Sequence, residues 1–261
     1  MGGDRPAGWQ ERARSFGSVA GGYSAVRPGY PDDVVAFALG GAEGPSRRLR
    51  VLDLAAGTGL LTAPIAAAGH DVVAVEPAAG MLAELASHLP SVTALQGTAE
   101  SIPLPDADVD VVTAAQAAHW FDPAPAAAEL RRVLRPGGAV TFVWNMRDDR
   151  VAWSAALDAL LAQAQVERFS PRGVTEAFVR ELDADLQTHE SVAVQRQTPD
   201  DVMAGLATRS YVATMSEQRR ADFLGAVREL LDTHPDTRGR AVVEVRLLSS
   251  AWRMIPRRNP R

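Results

Sequence analysis

Two acidic residues stand out because each closes an apolar run of strand type. Asp53 closes a run that starts at Val51, and Glu76 closes one that starts at Asp71. The two carboxylates are 23 residues apart in the chain, near the spacing of about 20 at which an acid binds a ribose in open α/β folds. The pair therefore indicates a nucleotide-like ligand, with Glu76 able to accept hydrogen bonds from both ribose hydroxyls.

A turn of small residues follows Asp53 and leads into a helical pattern that contains Leu61 and Ile65. Gly57 and Gly59 lack a Cβ, so the backbone can adopt positive φ and approach a ligand closely. The following helix offers free N–H groups and its positive dipole end to an anionic group. A tight strand-to-helix connection without a ligand is the alternative interpretation of these residues.

A nicotinamide cofactor would also use an acid at Glu76, so it must be weighed. That cofactor class favours Gly-x-Gly-x-x-Gly, whereas the corresponding segment here ends in Thr62. A nicotinamide cofactor would also give no role to Asp53, which precedes the glycines. The pattern therefore favours a different cofactor, and a nicotinamide-dependent oxidoreductase on the same topology is kept as an alternative.

Further segments follow in an order that strengthens this pattern. They are Gly97-Thr98-Ala99-Glu100, Ile102-Pro103-Leu104-Pro105-Asp106, a strand at 109–114, the group Gln116, His119, Trp120 and Phe121, the turn Arg135-Pro136-Gly137-Gly138 and a strand at 139–144. Over residues 16–145 this succession resembles the class I S-adenosylmethionine-dependent methyltransferases, in the small-molecule branch with a type 11 methyltransferase domain. The resemblance implies an α/β fold: a Rossmann-like, seven-stranded, mostly parallel sheet with helices on both faces and an antiparallel last strand beside the fifth.

The resemblance also implies S-adenosyl-L-methionine as cofactor, with S-adenosyl-L-homocysteine as product, and it assigns roles by position. Asp53 and the backbone around Gly57 and Gly59 would hold the methionine part, and Glu76 the ribose hydroxyls. The other cofactor-binding residues would be Pro77, Met81 on the adenine, Thr98, Ala99 and Glu100 at the adenine edge, and Gln116 beside the methionyl group. One departure is Ala55, a cofactor-binding position where the family usually has glycine.

The segment before the first strand is similar to the amino-terminal lid of this family, which we place at residues 16–35. Arg27 could clamp the cofactor carboxylate through its planar guanidinium, and Tyr23 and Tyr30 could line the cofactor or the acceptor. Docking of the segment on the domain is the alternative role for these aromatic residues.

An acceptor pocket is predicted between this lid, a helical cap and the ends of strands four and five. Its residues would be Tyr30, His119, Trp120, Trp144, Asn145, Arg209 and Tyr211. His119 is the candidate catalytic residue, as a general base for an acceptor that must lose a proton, because histidine titrates near neutral pH. Core packing of the tryptophans and a loop hydrogen bond from His119 are the alternatives.

We predict one domain over residues 1–261. It comprises the lid, a cofactor-binding core at 46–145, a helical cap with one strand at 146–240 and a closing strand at 241–254. Within the cap, helices are predicted at 151–166, 199–207 and 216–232, and a short strand at 191–195. Asp200 and Ser216 are candidate N-caps.

The composition limits the remaining possibilities. Arginine supplies every basic charge other than histidine, and the net charge is −5, which argues against a nucleic-acid partner. The absence of lysine excludes a lysine Schiff base, and the histidines show no metal-ligand spacing. No cysteine, apolar signal segment or run of roughly 18 apolar residues occurs in the sequence, so we expect a cytoplasmic protein without a membrane partner.

Methyl transfer to a small-molecule substrate is the function that these observations favour. The acceptor would be a bacterial primary or specialised metabolite that takes the methyl group on oxygen, nitrogen or carbon, and the protein would be a monomer or a homodimer. A relative that binds the cofactor without methylating is a second alternative, because fold does not imply function.

Overall fold

The computed structural model describes residues 28–164, 170–207 and 209–257. These residues divide into two compact units. We call residues 29–145, 170–191 and 249–257 the sheet unit, and residues 28, 146–164, 192–207 and 209–248 the second unit. Tyr23 and Arg27, which were predicted to bind the cofactor, lie outside the described residues.

In the described part of the chain, seven strands form one sheet in the order β3-β2-β1-β4-β5-β7-β6. The strands are β1 (Arg50–Leu54), β2 (Asp71–Glu76), β3 (Thr93–Gln96), β4 (Val109–Ala115), β5 (Leu134–Arg147), β6 (Ala184–Gln197) and β7 (Val243–Pro256). β1 pairs in parallel with β2 and β4, β2 with β3, and β4 with β5. The last strands are antiparallel, which confirms the predicted Rossmann-like α/β sheet and the closing strand beside the fifth.

The helices are numbered along the chain. Those of the sheet unit are α1 (Asp32–Gly40), α2 (Thr62–Ala67), α3 (Ala79–His88), α4 (Pro123–Val133) and α6 (Pro171–Glu181). Those of the second unit are α5 (Ala152–Gln163), α7 (Pro199–Ala207), α8 (Ser210–Ala213) and α9 (Glu217–Thr233). None of the described helices is both long and apolar enough to span a lipid bilayer.

The central strands are apolar almost throughout because parallel strands are covered on both faces. Val51, Leu52, Val73 and Val112 are each no more than 1% exposed, and burial of such a side chain is worth about 1.5–3 kcal/mol. This packing fixes the centre of the sheet and brings the carboxyl ends of β1, β2 and β4 to one edge.

At the opposite edge, an ion network ties three strands together. Asp110 of β4 accepts hydrogen bonds from the Arg47 guanidinium at 2.8 Å and from the Arg50 N–H at 2.8 Å, and it lies 3.2 Å from Arg135 of β5. Burial acts to raise the pKa of Asp110, but these donors outweigh it and lower the pKa to about 2. The amino-terminal edge is therefore occupied by structural contacts.

β5 begins at Leu134, earlier than the predicted start at 139. The glycine-containing segment predicted as a turn belongs to the strand, and the pairing of β4 with β5 is irregular between Val109 and Val111. A Cβ on Gly138 would lie 2.7 Å from the carbonyl oxygen of Asp110, so glycine permits the close approach of the two strands. The sequence conceals this because Pro and Gly usually mark turns.

β6 is also longer than the predicted strand at 191–195, since it begins at Ala184. Residues 185–190 are mostly polar and exposed, so no alternation of apolar residues marks them as a strand. They nevertheless belong to β6, which lies beside β7 in the sheet. A strand held by its backbone at the end of a sheet leaves little trace in the side-chain pattern.

The second unit has an apolar core of its own, which includes Trp153 of α5 and Phe223 of α9. The Ser216 cap of α9 is confirmed, because its hydroxyl accepts a hydrogen bond from the Arg219 N–H. The predicted cap at Asp200 is wrong. Thr198 and Asp201 instead exchange side chain-to-backbone hydrogen bonds, each of 3.1 Å, and this reciprocal pair is a capping box that starts α7.

Candidate active site

The turn after β1 lies at the edge where the carboxyl ends of the central strands meet. Asp53 of β1 is in register with Ala74 of β2 and Thr113 of β4. The backbone of the turn is left-handed at Ala55 (φ 56°), Gly57 (φ 58°) and Gly59 (φ 92°). Open α/β sheets bind ligands in the crevice outside these strand ends, so this turn is the candidate cofactor site.

The three left-handed positions differ in what surrounds them. A Cβ on Gly59 would lie 3.0 Å from Leu89 Cδ1, whereas one on Gly57 would be 3.9 Å from Met81 Sδ. Gly59 is therefore required by packing as well as by conformation, and Gly57 leaves room for a ligand. Ala55 keeps the left-handed conformation with its methyl group in place, at a cost of roughly 1–2 kcal/mol.

Glu76 closes the turn from the end of β2. Its Oε2 accepts a hydrogen bond from the Gly57 N–H at 3.0 Å, and its Oε1 accepts one from the Ala78 N–H at 2.9 Å. Burial raises the pKa of Glu76, while the two backbone donors act in the opposite direction. An ionised carboxylate can accept about four hydrogen bonds, so Glu76 can still accept two ribose hydroxyls.

Asp53 is 1% exposed and binds two hydroxyls. Thr62 donates to Oδ2 at 2.6 Å, and Thr113 donates to Oδ1 at 3.1 Å. Burial raises the pKa of Asp53 to about 6, the two hydroxyls oppose this rise, and the charge of Glu76 adds to it. The carboxylate thus ties β1 to α2 and β4, and its contact with the methionine part of a cofactor stays a prediction.

Thr58, between the two glycines, carries a buried group that lacks a partner. The residue is 8% exposed, and its hydroxyl oxygen has no hydrogen-bond partner in the part of the chain that the structure describes. Leaving such a group unsatisfied costs roughly 1–3 kcal/mol. A polar ligand in the turn would remove that cost.

The residues predicted at the adenine edge form a tight turn after β3. Thr98 and Ser101 exchange two backbone hydrogen bonds, each of 3.3 Å, and Ala99 is buried between them. Glu100 Oε1 accepts a hydrogen bond from the Asp122 N–H at 2.8 Å, which joins this turn to the start of α4. The contact of these residues with adenine stays a prediction.

Met81 and Pro77 flank the start of α3. Met81 is buried, with its sulfur near Gly57. Pro77 is exposed, and its carbonyl oxygen accepts a hydrogen bond from the side chain of Gln96 at 3.0 Å. Met81 therefore lies next to the glycine turn, residues 55–59, and Pro77 lies next to Glu76. Their contacts with a cofactor stay predictions.

Gln116 follows β4 and, like Ala55, has a left-handed backbone (φ 55°) although it is not glycine. Its N–H donates to the Val143 carbonyl at 2.8 Å, and its Nε2 donates to the Asn145 carbonyl at 2.9 Å. The structure therefore holds Gln116 at the same sheet edge as Asp53. Its place beside the methionyl group stays a prediction.

His119 and Trp120 lie in a single 3-10 turn, Ala118–Trp120, with their ring centroids 4.8 Å apart. Burial lowers the pKa of His119 to about 4. Burial thus moves the titration of His119 below the neutral range expected from its residue type, and its role as a general base stays a prediction. A lowered pKa also makes the imidazole a weaker base.

Trp144 and Asn145, predicted to bind the acceptor, are buried at the end of β5. Trp144 has no exposed surface and packs edge-on against Phe142, with ring centroids 5.8 Å apart. Asn145 is 7% exposed, its Nδ2 donates to the Gly29 carbonyl at 3.0 Å, and its Oδ1 accepts from the Ser249 hydroxyl. The contacts of both residues with an acceptor stay predictions.

Arg209 and Tyr211, also predicted at the acceptor, belong to the second unit. Tyr211 interacts with Arg147, whose Nε donates to Asp158 at 3.0 Å. Burial acts to lower the pKa of Arg147, but Tyr211 and Asp158 outweigh it and raise the pKa. The roles of Arg209 and Tyr211 stay predictions.

Tyr30 lies in the sheet unit, where it is half-buried and packs on the apolar cluster that includes α1 and α2. Its contact with an acceptor stays a prediction. In the described ranges, no group of three or more His, Cys, Asp or Glu side chains is arranged to hold a metal ion.

Sequence reasoning missed the hydroxyl partners of this site. Thr62 stands in the sequence only where a dinucleotide motif would have its last glycine, yet its hydroxyl donates to Asp53. Thr113 and Ser249 lie inside strands, where a hydroxyl gives no signal of its own. The buried Thr58 hydroxyl could have been suspected from its place between two glycines, but its lack of a partner is visible only in three dimensions.

Comparison with known proteins agrees with this geometry. A sequence profile described as a methyltransferase domain matches residues 52–142. An uncharacterized methyltransferase of Mycobacterium tuberculosis is 42% identical over 226 residues, which cover 87% of this chain and 89% of the relative. The malonyl-[acyl-carrier protein] O-methyltransferase of Erwinia pyrifoliae is 30% identical over 187 residues, or 71% of this chain and 70% of that protein.

Among solved structures, one from Anaeromyxobacter dehalogenans that is assigned as a type II methyltransferase matches with a TM-score of 0.68. The two sequences are 28% identical, and the match covers 90% of this chain and 99% of that chain. The similarity therefore extends well beyond the residues matched by the domain profile.

Ala55→Gly should raise the free energy of unfolding by up to about 1 kcal/mol. Glycine removes the left-handed strain of roughly 1–2 kcal/mol. The greater conformational freedom of its unfolded chain lowers the free energy of unfolding by about 0.4–1 kcal/mol. Urea unfolding followed by circular dichroism measures the change. Ala83→Gly, at an exposed position within α3, is the control and should lower the free energy by about 1 kcal/mol. A similar loss in both variants would show that Ala55 is unstrained.

The stability of Asp53→Asn relative to wild type should increase as the pH rises from 4 to above 6. The folded-state pKa of about 6 is above the unfolded value near 3.9, so ionisation in this window disfavours the folded state, by at most about 3 kcal/mol. Thermal unfolding at several pH values tests this. Asp110→Asn, whose carboxyl has a lowered pKa, should instead destabilise the protein at pH 7. A stability difference between Asp53→Asn and wild type that does not change between pH 4 and 7 would contradict the burial argument for Asp53.

Proposed function

Because the chain belongs to the methyltransferase family, we propose that it transfers the methyl group of S-adenosylmethionine to a small-molecule acceptor. Family membership follows from the relationship to the mycobacterial methyltransferase over most of both chains. The sheet order and the antiparallel last strands agree with it. The choice of cofactor and acceptor goes further than the family and is argued from the site.

The observation that carries the proposal is the position of the Glu76 carboxylate across the glycine turn. It lies 3.0 Å from the Gly57 N–H at the end of β2, where an acid binds the ribose in open α/β folds. Its acceptor capacity is only partly used by the backbone. A ligand with a ribose and an adjoining polar chain would therefore bind across Glu76 and the turn.

S-adenosylmethionine fits the residues present. Thr58 carries a buried hydroxyl that has no hydrogen-bond partner among the described residues, and the turn at Gly57 leaves space that a side chain would otherwise fill. Glu76 would hold the ribose hydroxyls and the turn the methionine part. The adenine would lie against Met81, Thr98, Ala99 and Glu100, with Gln116 beside the methionyl group. When bound, the cofactor supplies a methyl group activated as a sulfonium.

The protein's contribution to this reaction would be alignment and exclusion of water. Holding two reactants in the reactive geometry can lower the barrier by roughly 7–11 kcal/mol. His119 is neutral at pH 7, so it can accept a hydrogen bond, but burial makes it a poor base. This supports an acceptor whose attacking atom already carries a free lone pair at neutral pH, such as a carboxylate or an unprotonated amine.

The nature of the acceptor stays a proposal. The relative from Erwinia pyrifoliae is a malonyl-[acyl-carrier protein] O-methyltransferase, so a carboxylate oxygen is one candidate, while nitrogen and carbon acceptors stay open. The net charge of −5 supports a small metabolite rather than nucleic acid. A cytoplasmic monomer or homodimer acting on a bacterial metabolite remains our expectation.

Two alternatives remain distinguishable by experiment. The relatives reported above are methyltransferases, and the matching profile describes a methyltransferase domain. Neither supports a nicotinamide-dependent oxidoreductase. Fluorescence titration with NADH tests that alternative directly. A relative that binds the cofactor without methylating would bind it equally well. Mass spectrometry of metabolite mixtures, searched for the gain of one methyl group, separates it from a methyltransferase.

Glu76→Gln should weaken binding of S-adenosylhomocysteine by roughly 10- to 150-fold, which corresponds to the loss of about 1.5–3 kcal/mol from hydrogen bonds to a charged acceptor. Isothermal titration calorimetry measures the affinity, and circular dichroism checks the fold. Glu181→Gln, at an exposed carboxylate of α6, is the control and should bind as wild type does. Unchanged affinity in Glu76→Gln would remove the ribose role, and no binding by wild type would refute the cofactor.

The rate of methyl transfer should show no ionisation of His119 between pH 6 and 9, because burial lowers its pKa to about 4. The measurement compares the pH dependence of kcat for wild type and His119→Gln, once an acceptor is known. The two profiles should have the same shape. An inflection near pH 6.5 in wild type that disappears in the variant would restore His119 as a general base.

A further inference from the structure

We propose that Asn145 is a positioning residue, which holds the Gly29–Tyr30 peptide and the Gln116 side chain at the carboxyl edge of the sheet. The proposal rests on the function proposed above, since both held groups lie where cofactor and acceptor are expected. Asn145 itself is buried, so it acts through these neighbours.

Asn145 uses its side chain and its backbone for different partners. Its Nδ2 donates to the Gly29 carbonyl at 3.0 Å, and its Oδ1 accepts from the Ser249 hydroxyl of β7. Its backbone carbonyl accepts from Gln116 Nε2 at 2.9 Å. One residue at the end of β5 thus joins the loop after β4, the closing strand and the peptide that precedes Tyr30.

The Gly29 carbonyl fixes which way the amide faces, because a carbonyl oxygen can only accept a hydrogen bond, whereas the Ser249 hydroxyl can donate or accept one. Ser249 is fully buried, and a hydroxyl that donates to Oδ1 leaves Nδ2 directed at Gly29. A flipped amide would place two oxygens against each other at Gly29, which is costly inside a protein. The amide is therefore oriented by its bond to Gly29, and Ser249 of β7 adds the hydrogen bond that satisfies Oδ1.

Gln116 needs such support because its backbone is left-handed (φ 55°). A residue that is not glycine keeps this conformation only where its surroundings hold it, and such strain is common at functional sites. Two contacts hold it here: its N–H bonds Val143, and its side chain bonds Asn145. Both partners are in β5, so displacement of the end of that strand would release Gln116.

Thr141 offers a matched control on the same strand. Its buried hydroxyl donates to the Ala38 carbonyl at 2.8 Å, so it too joins β5 to the α1 region. It lies four residues before Asn145, within the strand and away from its carboxyl end. A purely structural role would make the two residues equivalent, whereas a positioning role concerns Asn145 alone.

The experiment compares Asn145→Asp with Thr141→Val in three measurements: thermal unfolding, affinity for S-adenosylhomocysteine, and amide hydrogen exchange. Asn145→Asp keeps an acceptor for Ser249 but places a carboxylate oxygen against the Gly29 carbonyl. We expect it to bind S-adenosylhomocysteine roughly three- to tenfold more weakly, with faster exchange at Gln116. Thr141→Val should lose thermal stability while its affinity and the exchange at Gln116 stay as in wild type.

Ser249→Ala provides a second variant that retains asparagine at 145, in case Asn145→Asp does not fold. It should show the same changes to a smaller extent, because Asn145 loses the partner of its Oδ1 but keeps the bond of its Nδ2 to Gly29. The proposal would be overturned if the Asn145, Ser249 and Thr141 variants had the same affinity for S-adenosylhomocysteine and the same hydrogen exchange at Gln116. The exchange measurement needs no ligand, so failure of wild type to bind S-adenosylhomocysteine would refute the proposed function separately.

Discussion

The rest of the candidate site depends on two buried carboxylates at the carboxyl edge of the sheet. Asp53 binds the hydroxyls of Thr62 and Thr113, and Glu76 binds the backbone of the glycine turn. Each is buried and close enough that the charge of Glu76 contributes to the raised pKa of Asp53. The protein retains this unfavourable pair because it fixes the turn between β1 and α2 from both sides.

Two of the four left-handed residues other than glycine in the described ranges lie at this carboxyl edge. Ala55 and Gln116 both adopt left-handed backbone conformations at the ends of neighbouring strands. Each is held by a neighbouring strand: the N–H after Ala55 bonds the Val75 carbonyl, and the Gln116 N–H bonds the Val143 carbonyl. The apolar parallel strands supply the rigidity that keeps these conformations, while the opposite edge is closed by the contacts of Asp110. The two edges of the sheet therefore have different tasks, one structural and one available to a ligand.

Most of the sheet could be predicted because its strands carry the signal in their own residues. Runs such as Val72–Val75 are apolar and are followed by an acid. These runs alternate along the chain with helical segments and turns. β6 could not be bounded in this way, since its first half is polar and is held by backbone pairing. The burial of Asn145 and Trp144 could not be foreseen for a related reason: in a sequence, a polar or an aromatic residue at a strand end looks the same whether that end is open or covered.

By itself, the sequence determined the order of the elements, the glycine turn and the two acids, because these are set by local periodicity and by the conformations that small residues allow. Only the tertiary structure decided what each side chain contacts. It left the Thr58 hydroxyl without a partner in the described residues, lowered the pKa of His119 to about 4 and turned Asn145 towards Gly29 and Ser249. Burial and hydrogen-bond partners come from residues far apart in the chain, so no local pattern can carry that information.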